Sequence, residues 1–291
     1  MKKSKSVLIT DLDNTLFNWF EIWFKSFKPM LSEIYRISQI PEDTLKAEIK
    51  AVHQKHGTAE YAFLIEEIPS LLAKYGSKEK THEVMSLAIE AYRKGRSENL
   101  KLYDGVESTL EKIKNCGTLI VAYTESKSYY SSYRIKKLGL DKYIDILYSP
   151  EDHEVPSSHQ PTSFKFQKTK VKHTPKGELK PNPQLLLDII SSVDSSPENC
   201  VYIGDSEMKD IDMAQKAGVD DVFARYGAVH FDNNEGISMY NLLREVTHWT
   251  QADVEREDEI KKNYHEIEPT LSIDNFGDLL NHFNFTSYTK V

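Results

Sequence analysis

Cysteine is nearly absent. Cys116 and Cys200 are the only two in 291 residues, too few and too far apart for a disulfide framework or a cysteine-rich metal site. Both lie beside apolar or β-branched runs and read as reduced core residues. Long apolar runs are absent as well. No stretch approaches the roughly 20 apolar residues that a membrane-spanning helix needs. The basic start, MKKSKS, leads into only three apolar residues before Thr10 and Asp11, too short for a secretory segment. A cytoplasmic protein with no membrane partner is expected. Positive charge is in deficit too: 37 Lys plus Arg stand against 45 Asp plus Glu, a formal net charge of -8. That balance disfavours nucleic acid as a partner, and a small anionic ligand would need a local basic pocket.

The length is sufficient to bury a core without covalent staples. Short β-like runs punctuate the chain: SVLITD (6–11), TLIVAYT (118–124), YIDILYS (143–149), CVYIGD (200–205) and DVFARY (221–226). Most are continuously apolar, the pattern of strands covered on both faces. Helical patterns lie between them, in GVESTLEKIKNC, SKSYYSSYRIKKLGL, NPQLLLDIISSV and MKDIDMAQKAG. Strand and helix in alternation predict an α/β fold built on a doubly wound, mostly parallel sheet. In such a sheet the ligand crevice lies at the carboxyl ends of the strands, where Asp11, Thr124 and Asp205 fall.

Residues 17–100 interrupt the alternation with helical periodicity, and Phe20, Trp23, Phe27, Met30 or Leu31, and Ile34 share one face. That stripe reads as the core of an inserted α-helical domain over 17–100, with Pro29 bending or interrupting the first helix and Pro69 and Gly76 punctuating later ones. The α/β domain then comprises 1–16 and 101–291. Within it, 150–180 reads as a mobile loop insert whose centre alternates like a short strand or hairpin, and its lysines 165, 168, 170, 172 and 176 read as a solvated basic surface. Residues 227–268 read as a helical extension of this domain, with Thr250 capping its second helix and Asp253 reinforcing the cap. A last edge strand and closing helix are expected in PTLSIDNFGDLLNHF.

Asp11 and Asp13 sit one residue apart at the end of a buried-looking strand, where like charges are costly unless a cation neutralises them or one holds a proton. Mg2+ is the natural partner, because it takes oxygen ligands and keeps positions for water and phosphate. Asp205, in GDSEMKD, is placed as a third metal ligand, and Gly204 permits close backbone approach. For Asp210, a helix-start charge and a functional role stand open side by side. Thr124 offers a hydroxyl and the backbone N–H groups that follow it, a neutral cradle for phosphoryl oxygens. Lys180 precedes a helix whose start is fixed by Pro181 and Pro183.

In their order, Asp11-Leu12-Asp13-Asn14-Thr15, Thr124, Lys180 before PNP, and Gly204-Asp205-Ser206 with Asp210 resemble the four motifs of the haloacid dehalogenase-like (HAD) hydrolase superfamily. The helical insert closed by YDGV resembles the cap of its phosphoglycolate-phosphatase-like branch. This resemblance implies a Rossmann-like core, a small phosphorylated metabolite as substrate, and a monomer or homodimer. It further implies that Asp11 attacks phosphorus while Asp13 acts as acid and then base. Mg2+ would be held by Asp11, the main-chain carbonyl of Asp13, and Asp205, with Thr124, Glu125 and Lys180 binding the substrate. The family's dehalogenases lack an acid at the position of Asp13, because a halide leaves without a proton. Alternatives are a phosphomutase of the same fold, which must return the phosphoryl group to a sugar, and a non-catalytic phosphoryl-binding or signalling scaffold. Lys25 and Lys28 do not fit the Schiff-base lysine that a phosphonate hydrolase needs.

Overall fold

All five apolar runs form strands, and among the described residues four more are present. The computed structural model describes residues 2–153, 155, 164–228, 234–263 and 268–289. The strands are β1 (Lys3–Lys5), β2 (Val7–Thr10), β3 (Leu119–Tyr123), β4 (Ile146–Ser149) and β5 (Lys170–His173). After them come β6 (Cys200–Gly204), β7 (Asp220–Ala224), β8 (Leu271–Ile273) and β9 (Phe283–Phe285). Helices α1 (Trp19–Ser38), α2 (Glu42–His56), α3 (Pro69–Tyr75), α4 (Lys78–Val84) and α5 (Ser86–Asn99) occupy the insert. They are followed by α6 (Val106–Asn115), α7 (Ser128–Lys137), α8 (Pro183–Ser191) and α9 (Asp212–Lys216). The last are α10 (Arg225–Ala228), α11 (Asn234–Val246), α12 (Gln251–Asn263) and α13 (Leu279–His282).

The chain divides into two compact units. The first, Met1–Asn18 with Lys101–Val229 and Asn263–Val291, is α/β. Its seven-stranded sheet has the order β5-β4-β3-β2-β6-β7-β8, and every pair in it is parallel. Strand β2 is buried at all its positions and lies between β3 and β6, so the carboxyl ends carrying residues 11, 124 and 205 are neighbours. On one face Val7, Ile9, Val121, Tyr123 and Tyr202 pack with Leu186, Ile189 and Ile190 of α8, and Leu8, Ile120 and Ile203, which alternate with them along the strands, are fully buried too, as the unbroken apolar runs require. Strand β5, inside the expected 150–180 insert, adds in parallel to the sheet edge rather than forming a hairpin; residues 154 and 156–163 of that insert lie outside the described residues. A separate two-stranded parallel sheet joins β1 to β9, and buried Lys5 there meets Asp220 at 2.7 Å. Of the two free cysteines only Cys200 is buried; Cys116 ends α6 and is exposed, a correction to the expectation of two core thiols.

The second unit is helical, Trp19–Leu100 with His230–Lys262. Phe20, Trp23, Phe27, Met30, Leu31 and Ile34 of α1 are all buried in its core. Pro29 lies inside α1 without ending it, whereas Pro69 opens α3 and Gly76 caps it in the left-handed conformation. Helices α1 and α5 touch backbone to backbone at Gly95, where a Cβ would fall 2.2 Å from the carbonyl oxygen of Lys25. The 227–268 segment, expected to extend the α/β domain, instead groups over its described residues 234–262 with the helices. The reason is its own apolar stripe: Met239, Leu243 and Val246, spaced for one face of α11, join the core that holds α1 and α2. The expected cap of α12 is present, Thr250 N donating to Asp253 Oδ2 at 2.7 Å and Asp253 N to Thr250 Oγ1 at 3.3 Å. Residues 229–233 and 264–267 of that segment lie outside the described residues. Among the described residues no helix is long and apolar enough to cross a membrane.

Candidate active site

The loop after β2 is fixed before any side chain acts. Asp11 N donates to Ile203 O of β6 at 2.9 Å, carrying the strand pairing one residue past β2. The chain then reverses: Asn14 takes a positive φ of 59°, a conformation asparagine tolerates better than most, and its N–H donates to Phe17 O at 2.8 Å. Tyr226 of α10 donates its hydroxyl to Thr15 O at 2.7 Å. Beside it, a Cβ on Gly227 would stand 2.1 Å from Asn14 O and 2.8 Å from Asp205 Cβ. Glycine is what lets α10 close against both acidic loops.

Asp11, Asp205 and Asp210 each bring one carboxylate oxygen within 4.8 Å of the others. Lys180 reaches into this cluster, its Nζ 2.6 Å from Asp11 Oδ1 and 2.9 Å from Asp210 Oδ1, and the lysine is 3% exposed. Its place follows from the start of α8: Asn182 caps the helix by accepting from Leu185 N at 2.9 Å, Pro183 is in its first turn, and Lys180 N donates to Glu125 Oε1 at 2.8 Å. The ammonium lies 4.8 Å from the ring centre of Tyr123 and 5.6 Å from that of Tyr202, a cation–π setting on two aromatic rings. Burial pushes the Asp11 and Asp205 carboxyls well above the ordinary carboxylate range; repulsion from Asp210 adds to it at both, joined by Asp13 at Asp11 and by Asp11 at Asp205. Burial alone would depress the Lys180 ammonium, but the charges of Asp11 and Asp210 hold it protonated, above the usual lysine range.

Asp210 is already well supplied with donors. Its Oδ1 accepts from Lys180 and from the Tyr202 hydroxyl at 2.7 Å, and its Oδ2 accepts from Ser206 N at 3.1 Å. Space for that carboxylate exists only because position 204 is glycine, where a Cβ would lie 2.3 Å from Asp210 Cγ. A single π-type turn, Glu207–Ile211, carries Asp210 back toward β6. Asp11 and Asp205 therefore remain as the side chains with oxygens to offer a cation. An all-oxygen, electron-rich set that is short of positive charge suits a hard divalent ion such as Mg2+.

The Asp13 side chain turns away from this cluster toward β3 and α7. Ser126 Oγ donates to its Oδ2 at 2.5 Å and Thr124 Oγ1 to the same oxygen at 3.3 Å, while Arg134 Nη1 donates to Oδ1 at 3.1 Å. Of the sequence candidates, Asp11 and Lys180 meet directly, Asp205 brings a carboxylate oxygen within 4.8 Å of Asp11, Glu125 holds the Lys180 main chain, and Thr124 meets Asp13. The N–H of Ser126, expected in the phosphoryl cradle, is spent on Thr124 Oγ1 at 3.0 Å. Sequence reasoning passed over Ser126, Arg134, Tyr123 and Tyr202. Ser126 adjoins a motif and was within reach; Arg134 is one of several basic residues on α7, with no spacing signal to mark it.

Residues 5–218 match the haloacid dehalogenase-like hydrolase family. A glyceraldehyde 3-phosphate phosphatase of Methanopyrus kandleri is 23% identical over 210 residues, covering 67% of this chain and 80% of that protein. Among solved structures, the HAD-hydrolase YfnB of Bacillus subtilis, bound to magnesium, superposes with a TM-score of 0.51 at 18% identity, covering 97% of this chain and 100% of that one. A 2-haloacid dehalogenase of Pseudomonas syringae pv. Tomato DC3000 gives the same TM-score of 0.51 at 15% identity, covering 97% of each chain. These two establish a shared fold, not a shared substrate. With the family match spanning most of its length and the motif residues gathered at the strand ends, this chain belongs to the haloacid dehalogenase-like hydrolases.

Proposed function

We propose that the protein hydrolyses a small phosphomonoester, with Asp11 as nucleophile and Mg2+ as cofactor. The observation that carries this reading is the Lys180 ammonium set between Asp11 and Asp210 beside Asp205. A buried carboxylate oxygen, a fixed cation and a second carboxylate converge at the carboxyl edge of the sheet. Asp11, the Asp13 carbonyl and Asp205 would hold the ion, which when bound neutralises charge on the nucleophile and the phosphoryl oxygens. Asp11 Oδ forms a bond to phosphorus as the ester P–O bond breaks, and the leaving oxygen takes a proton from Asp13. Asp13, now a carboxylate, takes a proton from water as that water attacks phosphorus and releases Asp11. Lys180 and the Thr124 hydroxyl stabilise charge on the transferring group.

An acid at position 13 favours phosphate over halide chemistry, since an alkoxide leaving group needs a proton. The Methanopyrus kandleri relative is named for a triose phosphate, which places triose phosphates first in a substrate panel. The test is release of inorganic phosphate from 4-nitrophenyl phosphate with and without Mg2+. Asp11→Asn should abolish the Mg2+-dependent rate, and turnover like that of the parent would remove Asp11 as nucleophile.

A further inference from the structure

Arg134 is a buried charge on α7, 2% exposed. Its guanidinium carbon lies 5.7 Å from the ring centres of both Phe17 and Tyr130. Tyr130 stands one turn earlier on α7, and Phe17 closes the loop that Asp13 opens, the two residues forming a β-bridge. Two rings therefore immobilise the guanidinium, and its Nη1 donates to Asp13 Oδ1 at 3.1 Å. The two carboxylate oxygens of Asp13 have partners of different kinds. Oδ1 meets a guanidinium, which only donates and is locked in place. Oδ2 meets hydroxyls of Ser126 and Thr124, which rotate and both donate and accept.

We propose that Arg134 is the positioning residue for Asp13: it ties Oδ1 so that Oδ2, held by movable hydroxyls, is the oxygen that exchanges protons with leaving group and water. This rests on the acid–base reading of Asp13 given above. In the first step Oδ2–H gives its proton to the ester oxygen as the P–O bond breaks and its electron pair passes to that oxygen. In the second, Oδ2 takes a proton from the attacking water as the Asp11–phosphorus bond breaks. Arg134 gains and loses no proton in either step. A bare structural ion pair would support the fold equally well, so the test reads something that folding alone does not move.

That readout is leaving-group dependence. Phenyl phosphate needs its leaving oxygen protonated much more than 4-nitrophenyl phosphate does, so kcat/KM on each, which reports only the steps through leaving-group departure, is measured for Asp13→Asn, Arg134→Met and Arg134→Lys, with thermal melts alongside. General acid catalysis is worth roughly 100-fold or more. Asp13→Asn should lose most of that on phenyl phosphate and far less on 4-nitrophenyl phosphate. Arg134→Met should lower the phenyl to 4-nitrophenyl ratio of kcat/KM by about tenfold, a fraction of the full acid effect. Arg134→Lys keeps the charge without the planar stack; it should fall between Met and the parent, and it carries the test if the Met variant does not fold. Equal losses on both substrates in the Arg134 variants, with Asp13→Asn still selective, would overturn the proposal and leave the acid–base reading intact. Equal losses in Asp13→Asn itself would overturn both.

Discussion

Asp210 shows how a residue can belong to an acidic cluster without being available to a cation. Lys180, Tyr202 and the Ser206 N–H all donate to its carboxylate, which makes it the rear support of Lys180. Its position depends on the absence of a side chain at 204. Gly204→Ala would put a carbon 2.3 Å from Asp210 Cγ and 2.4 Å from its Oδ2, atoms held on several sides and unable to yield cheaply. Either the carboxylate moves and Lys180 loses its second anchor, or β6 shifts. Overpacking of this kind costs about 1–3 kcal/mol, so Gly204→Ala should lower stability by that order in chemical denaturation. Its KM for 4-nitrophenyl phosphate should rise as well, because a loosened ammonium holds phosphate less well. An unchanged midpoint and KM would show that the carboxylate has room to spare.

At the scale of elements, much of the α/β unit was legible because buried parallel strands leave unbroken apolar runs and the turns after them hold the polar residues. Asp11, Asp205 and Lys180 could be anticipated for the same reason: each stands where an element begins or ends. Arg134, Tyr123 and Tyr202 could not, since their importance comes from lateral neighbours on other elements and no local pattern records those. The placement of α11 failed similarly. Its apolar stripe announced a buried face but not which core would bury it. One bond that fixes α11 is His53 Nδ1 on α2, which donates to Val246 O at 2.6 Å. Burial holds the His53 imidazole down to about 4, against an ordinary value of 6.5. Between those values the unfolded chain binds a proton that the folded one refuses, so stability rises with pH across that window. At about 1.4 kcal/mol per unit, the full difference is about 3 kcal/mol, complete below the folded value and absent above the unfolded one. Denaturation midpoints between pH 7 and 5 should therefore fall more steeply in the parent than in His53→Asn, which keeps a donor but cannot titrate. Parallel slopes would show that His53 is not the group responsible.

For the whole molecule, the acidic excess of the sequence matters most where it is concentrated, in the cluster at the sheet's carboxyl edge. Asp11 and Asp210 share one buried ammonium and Asp205 brings an oxygen within 4.8 Å of both, so folding gathers like charges that the unfolded chain keeps farther apart. A cation that binds only the folded arrangement relieves this crowding and adds RT ln(1 + [L]/Kd) to stability, about 2.7 kcal/mol at 100 times Kd. Mg2+ should accordingly raise the melting temperature of the parent protein in a concentration-dependent way, and EDTA should reverse the gain. Asp205→Asn separates this account from a general salt effect, because it removes one repelling charge and one ligand together. Without Mg2+ the variant should be at least as stable as the parent; with Mg2+ it should gain little, so that the order of the two proteins reverses as the ion is added. A melting temperature that rises equally in both proteins would mean that the ion acts elsewhere on the acidic surface, and the cluster would then be a strained structural feature with no cation of its own.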